Sequence, residues 1–256
     1  MVDAPAILIE NTALGGGFHL LRLECDPLAR QAKPGQFAMI RVARGHDPLL
    51  RRPLGILRTD PPHVWFYFQV VGRGTELLAA ARPGDVLPVL GPLGNTVPEW
   101  RDRDVVLVAG GRGVVPVFFA AERLAKGNRL HVVYGARDRE GLHLAGMLAE
   151  LPGIGLSVCT DDGSAGERGL VTPIIARLLT ELPLAVTFSC GPERMLAALA
   201  RELPAAPERH FVSLEALMGC GFGACHGCAV PAARGGYLRV CEEGPIFPLE
   251  AVQWPT

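Results

Sequence analysis

The chain has 256 residues, 49% of them apolar, with 25 basic against 26 acidic side chains and a formal net charge of −1. That length can bury a sizeable core and suits two domains better than one, while the balanced charge supplies no field to attract nucleic acid or an anionic membrane. With no run of 18 apolar residues and no basic, apolar leader, no membrane span or secretory signal is expected, and the cytoplasm is the expected compartment.

In the first hundred residues, short β-rich runs at 6–10, 18–24, 36–42, 63–71 and 85–90 alternate with Gly/Pro turns. That spacing predicts an antiparallel barrel or sandwich. Three motifs lie among these runs: Leu50-Arg51-Arg52-Pro53-Leu54-Gly55-Ile56, Val71-Gly72-Arg73-Gly74-Thr75 and Gly91-Pro-Leu-Gly94-Asn95. On physical grounds alone they are an arginine at a strand edge and two glycine-rich turns.

From Asp104 the rhythm changes. Apolar runs Val105–Ala109, Leu130–Gly135, Leu156–Thr160 and Val186–Cys190 alternate with helical stretches near 115–126, 142–150, 172–180 and 192–201. This is the pattern of βαβ units on a parallel sheet, joined to the first domain around Pro98–Arg103. The first run leads into Gly110-Gly111-Arg112-Gly113, a strand-to-helix turn of the kind that lets a backbone approach a pyrophosphate, although such a turn is often only a turn. Ser189-Cys190-Gly191-Pro192 follows the fourth strand, so Cys190 is expected at the carboxyl edge of the sheet, where ligands bind; an ordinary buried thiol is the plainer reading. Thr160-Asp161-Asp162-Gly163 ends the third strand. Carboxylates there, Asp161 foremost, suit a free ribose 2′-hydroxyl and repel a 2′-phosphate, which favours NAD over NADP; a solvated Asp-Gly turn is the alternative.

Beyond Pro207 comes a short segment rich in Cys and Gly, too small for its own apolar core. Four of the seven cysteines fall there, as Cys220-x4-Cys225-x2-Cys228-x12-Cys241. This is the plant-type arrangement in which four thiolates hold a [2Fe–2S] cluster, with Gly221, Gly223 and Gly227 letting N–H groups turn toward the sulfurs. A zinc knot is the competing reading, but zinc prefers paired C-x2-C knuckles. His226 reads as a loop side chain, since four thiolates complete the set.

Taken in order, Arg52-Pro-Leu-Gly, Gly74-Thr75, Gly91-Pro-Leu-Gly, Gly110-Gly-Arg-Gly, Cys190-Gly-Pro-Glu-Arg-Met-Leu and the cysteine set resemble the ferredoxin–NADP⁺ reductase superfamily. Within it, Thr160-Asp-Asp-Gly-Ser164, Ser213-Leu-Glu-Ala-Leu-Met218 and Cys241-Glu-Glu-Gly-Pro-Ile-Phe247 are most similar to the electron-transfer subunits of type B dihydroorotate dehydrogenase. The resemblance implies an FAD-binding β-barrel over 1–100, an NAD-binding α/β domain over 101–208 and a [2Fe–2S] module over 209–256. It implies that Arg52, Pro53, Leu54 and Gly55 line the FAD, with Arg52 on its pyrophosphate, that Tyr67, Phe68 and Gln69 meet the isoalloxazine or ribityl, and that Gly74 and Thr75 meet the phosphates. Gly110, Gly111 and Gly113 would face the nicotinamide nucleotide, with Cys190 near the ring as the catalytic candidate. Three positions depart from the family pattern: Gly55 stands where Ser is usual, Leu54 where many members have an aromatic, and Arg112 where Ile or Thr is usual.

The implied function is a relay in pyrimidine biosynthesis. An FMN-containing catalytic subunit oxidises dihydroorotate, electrons cross the cluster singly, and FAD exchanges hydride with NAD, the whole assembling as a heterotetramer. No site for dihydroorotate itself is evident in this chain. The alternatives are the flavin subunit of an NADH-dependent ferredoxin:NADP⁺ oxidoreductase or sulfide dehydrogenase, and, from a different class, a non-catalytic flavin and cluster redox sensor.

Overall fold

The computed structural model describes residues 1–43, 45–203, 206 and 208–255; Pro207, after which the third segment was expected to begin, lies outside them. In chain order the strands and helices are β1 (Val2–Gly15), β2 (Phe18–Glu24), α1 (Asp26–Gln31), β3 (Phe37–Ile40), β4 (Arg52–Asp60), β5 (His63–Gln69), α2 (Arg73–Ala80), β6 (Val86–Leu93), β7 (Asp104–Gly110), α3 (Val114–Leu124), β8 (Arg129–Ala136), α4 (Ala145–Ala149), β9 (Ile154–Thr160), β10 (Glu167–Arg168), α5 (Val171–Glu181), β11 (Val186–Cys190), α6 (Glu193–Glu202), β12 (His210–Ser213), β13 (Ala229–Pro231), β14 (Tyr237–Arg239) and β15 (Ile246–Pro248).

Strands β1 to β6 close an antiparallel barrel in the order β1-β2-β5-β4-β3-β6. Period-two patterning decides which side chains fill it. Val64, Phe66 and Phe68 of β5 point inward with Leu21 and Leu23 of β2, whereas Tyr67 of β5 and Leu57 of β4 belong to a second core outside the barrel. Strand β4 is absent from the strands expected above. Its sequence opens with Arg52, Pro53 and Gly55, poor strand formers, and it is pairing with β3 and β5 on either side that makes it a strand.

The second unit is a sheet in the order β10-β9-β8-β7-β11-β12-β15. Its central strand β7 is apolar and buried almost end to end, as a parallel strand covered on both faces must be. The C-terminal segment is continuous with this sheet. β12 runs parallel to β11, with His210 opposite Thr187, and β15 closes the edge antiparallel to β12. The sheet therefore extends past the limit expected at 208, because the cysteine-rich segment has too few apolar residues of its own and shares the core of its neighbours.

Helix α3 joins the two units. Val115 meets Gly55 of β4, Arg58 of β4 pairs with Glu122 at 2.9 Å, and Arg123 donates to the Thr59 hydroxyl at 3.0 Å. The carboxyl ends of β7, β8, β9 and β11 share one edge of the sheet. That edge meets the outer wall of the barrel where Tyr67 approaches His143 to 3.0 Å, and the seam between edge and wall is the candidate cleft.

Candidate functional site

The barrel side of this cleft begins at Arg52. Its guanidinium donates to the Leu50 carbonyl at 2.5 Å and lies across Gly74, so closely that a Cβ there would overlap it. Gly74 is in the first turn of α2, whose free N–H groups carry the positive end of the helix dipole. A guanidinium laid over a helix N-terminus is a donor set suited to a pyrophosphate, and it fits the phosphates of FAD. The Thr75 hydroxyl is committed elsewhere: it accepts from the N–H of Val71 at 2.9 Å and donates to the Gly72 carbonyl at 2.8 Å. It shapes the turn that presents the N–H groups. Pro53, Leu54 and Gly55 continue along β4, half-buried, in register with Met39, Ala38 and Phe37 of β3.

Along β5 the three expected contacts separate. Tyr67 faces outward, stacked on Phe18 with centroids 5.3 Å apart, and its hydroxyl lies 3.0 Å from His143 Nδ1. Gln69 ends the strand half-buried. Phe68 is turned into the barrel, 2% exposed and stacked on His19, so its ring faces away from the cleft and only its backbone borders it. The alternation of a strand dictates this: if Tyr67 faces the cleft, Phe68 does not.

Across the cleft, residues Gly111–Gly113 make a single 3₁₀ turn between β7 and α3. Gly111 has φ +53° and open space where a side chain would be, so its backbone is free to approach a nucleotide. Gly110 and Gly113 face the protein instead. A Cβ at 110 would come within 2.6 Å of Met195 Sδ and 2.9 Å of Pro192 Cδ, and one at 113 would overlap the Cys190 carbonyl. These two glycines clamp the end of β7 to the β11–α6 turn.

Cys190 lies at the carboxyl edge, 1% exposed. Burial, reinforced by the charge of Glu215, pushes its thiol well up, and Ser213 and Arg112 only partly offset this. The thiol is therefore held in its neutral form, packed against the strand ends that Gly110 and Gly113 bring together. Arg112 and Glu215 approach to 3.6 Å beside it. Asp161 is exposed at the end of β9, its N–H donating to the Ala136 carbonyl at the end of β8 at 3.1 Å. Its neighbour Asp162 is held below the usual carboxylate range by the Ser164 hydroxyl and N–H.

The cysteine loop forms two thiol pairs. Cys228 and Cys241 are buried with their sulfurs 3.2 Å apart, while Cys220 is half-buried beside exposed Cys225. Backbone N–H groups point at the sulfurs: Gly223 to Cys241 at 3.1 Å, Cys225 to Cys220 at 3.4 Å and Cys241 to Cys228 at 3.4 Å. At Cys220 burial is the largest single influence and raises the thiol, but it is outweighed by the combined bonds from the Phe222, Cys225 and Ala224 N–H groups and the Cys225 side chain, and the thiol falls to about 6. At Cys241 burial and the Cys228 sulfur prevail and push it up to about 12. Among the described residues no three His, Cys, Asp or Glu side chains converge on one point as a single-ion site requires. Two pairs with N–H groups on the sulfurs fit a two-iron cluster better than a tetrahedral zinc. His226 stays outside, exposed at φ +58°.

Three supporting side chains were given no role by the sequence, although Asn95 closes the Gly91-Pro-Leu-Gly94 motif, because the partners that matter, Gly221 for Met39, Glu243 and Ile246 for Asn95 and Gly223 for Arg239, lie elsewhere in the chain. Met39 packs under the cluster loop, so that a Cβ on Gly221 would come within 2.6 Å of its Cγ, and it pairs in register with Pro53. Asn95 accepts from the Ile246 N–H at 2.9 Å and donates to the Glu243 carbonyl at 2.9 Å, tying β6 to the cluster module. Arg239 bridges Glu242 at 2.7 Å and Glu243 at 2.6 Å while donating to the Gly223 carbonyl at 3.2 Å.

Residues 215–253 match the iron–sulfur cluster binding domain of dihydroorotate dehydrogenase B. The chain is 35% identical over 256 residues to the dihydroorotate dehydrogenase B (NAD(+)) electron transfer subunit homolog of Aquifex aeolicus, covering 98% of this chain and 99% of that one. It is 40% identical over 224 residues to the corresponding subunit of Geobacillus kaustophilus, covering 84% of each. Among solved structures, an NADH-dependent reduced ferredoxin-NADP oxidoreductase superposes with a TM-score of 0.87 at 29% identity, covering 98% of this chain and 90% of that chain.

Proposed function

The chain belongs to the electron-transfer subunits of NAD-dependent dihydroorotate dehydrogenase B, and from that membership we propose the roles of its residues in passing electrons between an FMN-containing catalytic subunit and NAD. With FAD and a [2Fe–2S] cluster bound, the flavin exchanges electrons in pairs with the nicotinamide and singly with the cluster. The observation that carries the reading is Met39: it pairs with Pro53 of the flavin segment and packs under Gly221 of the cluster loop. One strand spacing, about 4.8 Å, therefore separates the flavin wall from a residue touching the cluster loop.

In this reading Arg52 and the first turn of α2 bind the FAD pyrophosphate, and Pro53, Leu54 and Gly55 of β4 with Tyr67 and Gln69 of β5 form the wall for its ring and ribityl. Gly111 admits the nicotinamide nucleotide. Gly110 and Gly113 hold the strand ends that shape its pocket, Cys190 closes the floor as a neutral thiol, and Asp161 receives the ribose 2′-hydroxyl, which favours NAD. Cys220, Cys225, Cys228 and Cys241 ligate the cluster, two to each iron. The flavin, nicotinamide and cluster parts occupy the barrel, the parallel sheet and the segment after β12.

The relatives at 35% and 40% identity are named for dihydroorotate dehydrogenase B, whereas the ferredoxin-NADP neighbour stands at 29%. Among the described residues no helix is long and apolar enough to cross a membrane, and we place the protein in the cytoplasm, in a heterotetramer with its catalytic partner. The isolated chain should reduce dyes with NADH and leave dihydroorotate untouched. Oxidation of dihydroorotate by the pure chain would overturn the assignment of that step to a partner.

A further inference from the structure

Electrons that arrive through an iron–sulfur cluster arrive without protons, whereas a nicotinamide leaves carrying a hydride. Each reduction of NAD⁺ by electrons from the partner therefore needs 2 e⁻ + H⁺ + NAD⁺ → NADH. The cluster that the four thiolates would hold supplies electrons alone, so the proton enters this chain from solvent, and it departs by the same route when NADH is the donor.

The cleft holds few groups able to pass it. Arg112 keeps its charge permanently, and Cys190 is a sealed, neutral thiol 1% exposed. Tyr67 and His143 differ. Tyr67 is 4% exposed on the cleft face of β5, and its hydroxyl lies 3.0 Å from His143 Nδ1. His143 is half-exposed on the loop between β8 and α4, with its ring 4.7 Å from Phe18. Burial pushes the Tyr67 phenol up, and the nearby Arg112 charge only partly offsets this. The phenol stays neutral and can relay a proton by giving its own and accepting another.

We propose that Tyr67 and His143 form the proton inlet of the flavin site. His143 takes a proton from solvent on one ring nitrogen and yields another from Nδ1 to the Tyr67 oxygen, and Tyr67 gives its hydroxyl proton inward as the electron pair arrives. Every bond made is matched by one broken: Tyr67 ends neutral as it began, and His143 ends as its Nε2–H tautomer, which proton exchange with solvent returns to the Nδ1–H form. His143 acts through Tyr67 and is a positioning and relay residue. The inference rests on the placement of Tyr67 beside the bound flavin.

The test uses the chain carrying FAD and its cluster, mixed rapidly with one of two reductants. NADH delivers hydrogen with its electrons and needs no solvent proton; dithionite delivers electrons alone. His143→Gln and Tyr67→Phe should slow bleaching of the flavin absorption by dithionite by about 100-fold, the size of a lost acid–base contribution. His143→Gln should leave bleaching by NADH and the ratio of bound FAD to protein unchanged, and Tyr67→Phe should slow bleaching by dithionite relative to NADH by the same factor. The wild type should show a solvent deuterium effect with dithionite only, and added imidazole should restore a His143→Ala variant. Equal slowing with both reductants, no slowing with either, or loss of FAD from His143→Gln would overturn the inlet. A wild-type flavin that NADH does not bleach would contradict the underlying functional reading instead.

Discussion

Cys225→Ser should abolish reduction of NAD⁺ by dihydroorotate in the assembled complex while leaving NADH-dependent dye reduction by the flavin in place. Cys225 is exposed and Cys220 half-buried, whereas Cys228 and Cys241 sit in a core shared with Phe37, Met39 and Leu93 of the barrel. Replacing either buried cysteine mixes loss of a ligand with loss of packing. Position 225 separates the two: a hydroxyl is a poor iron ligand, yet nothing packs on the sulfur that an oxygen cannot replace. The flavin wall on β4 and β5 and the nucleotide turn at Gly111 contain none of the four cysteines, so hydride exchange has no reason to change. Partner-linked rates with and without the substitution, beside dye reduction by NADH, provide the measurement. A variant that lost NADH-dependent flavin reduction and retained coupling to the partner would show that the cluster lies elsewhere in the electron path.

Gly113→Ala should destabilise the fold by about 3 kcal/mol, a fall of roughly 10 °C in melting temperature for a chain of this size. The added methyl would overlap the Cys190 carbonyl and crowd the Gly191 nitrogen. Both are backbone at the end of a central strand, held by pairing of β11 with β7 and β12, so no side-chain rotation relieves the clash. Gly111→Ala is the internal comparison. It meets no neighbour within 4 Å but sits at φ +53°, and should cost only about 1 kcal/mol. Thermal unfolding of the two variants ranks them; a Gly113→Ala protein as stable as Gly111→Ala would show that the strand ends are not clamped there.

These two substitutions mark how far the sequence could be read. The cysteine spacing pointed to an iron–sulfur segment, and residues 215–253 match an iron–sulfur cluster binding domain, because four residues with one chemistry lie within a short stretch, where local spacing carries geometry. The barrel and the parallel sheet were legible from period-two runs and from strands alternating with helices. Strand β4 was not, since Arg52, Pro53 and Gly55 are strand residues only through their partners. For Phe68 the motif named a neighbour of Tyr67, whereas a strand turns every second side chain away, so its ring lies in the barrel and a contact with FAD falls to its backbone. Gly110 and Gly113 match a nucleotide-binding pattern, but β11 and α6, far along the chain, are what make their missing side chains necessary. The same distance hid Met39 and His143, each of which acts on an element encoded elsewhere, and it left Asn95 in a motif whose partners, Glu243 and Ile246, the motif does not name.

The central claim is that one chain carries electrons from nicotinamide through the barrel's flavin to the four cysteines and on to a partner. Mixing the chain, carrying FAD and its cluster, with NADH in a stopped-flow spectrometer tests this most directly. The flavin absorption should bleach first, and the cluster absorption should fall afterwards at a rate set by the flavin. A cluster that stays oxidised beside a fully bleached flavin, or one that is reduced before it, would contradict the account.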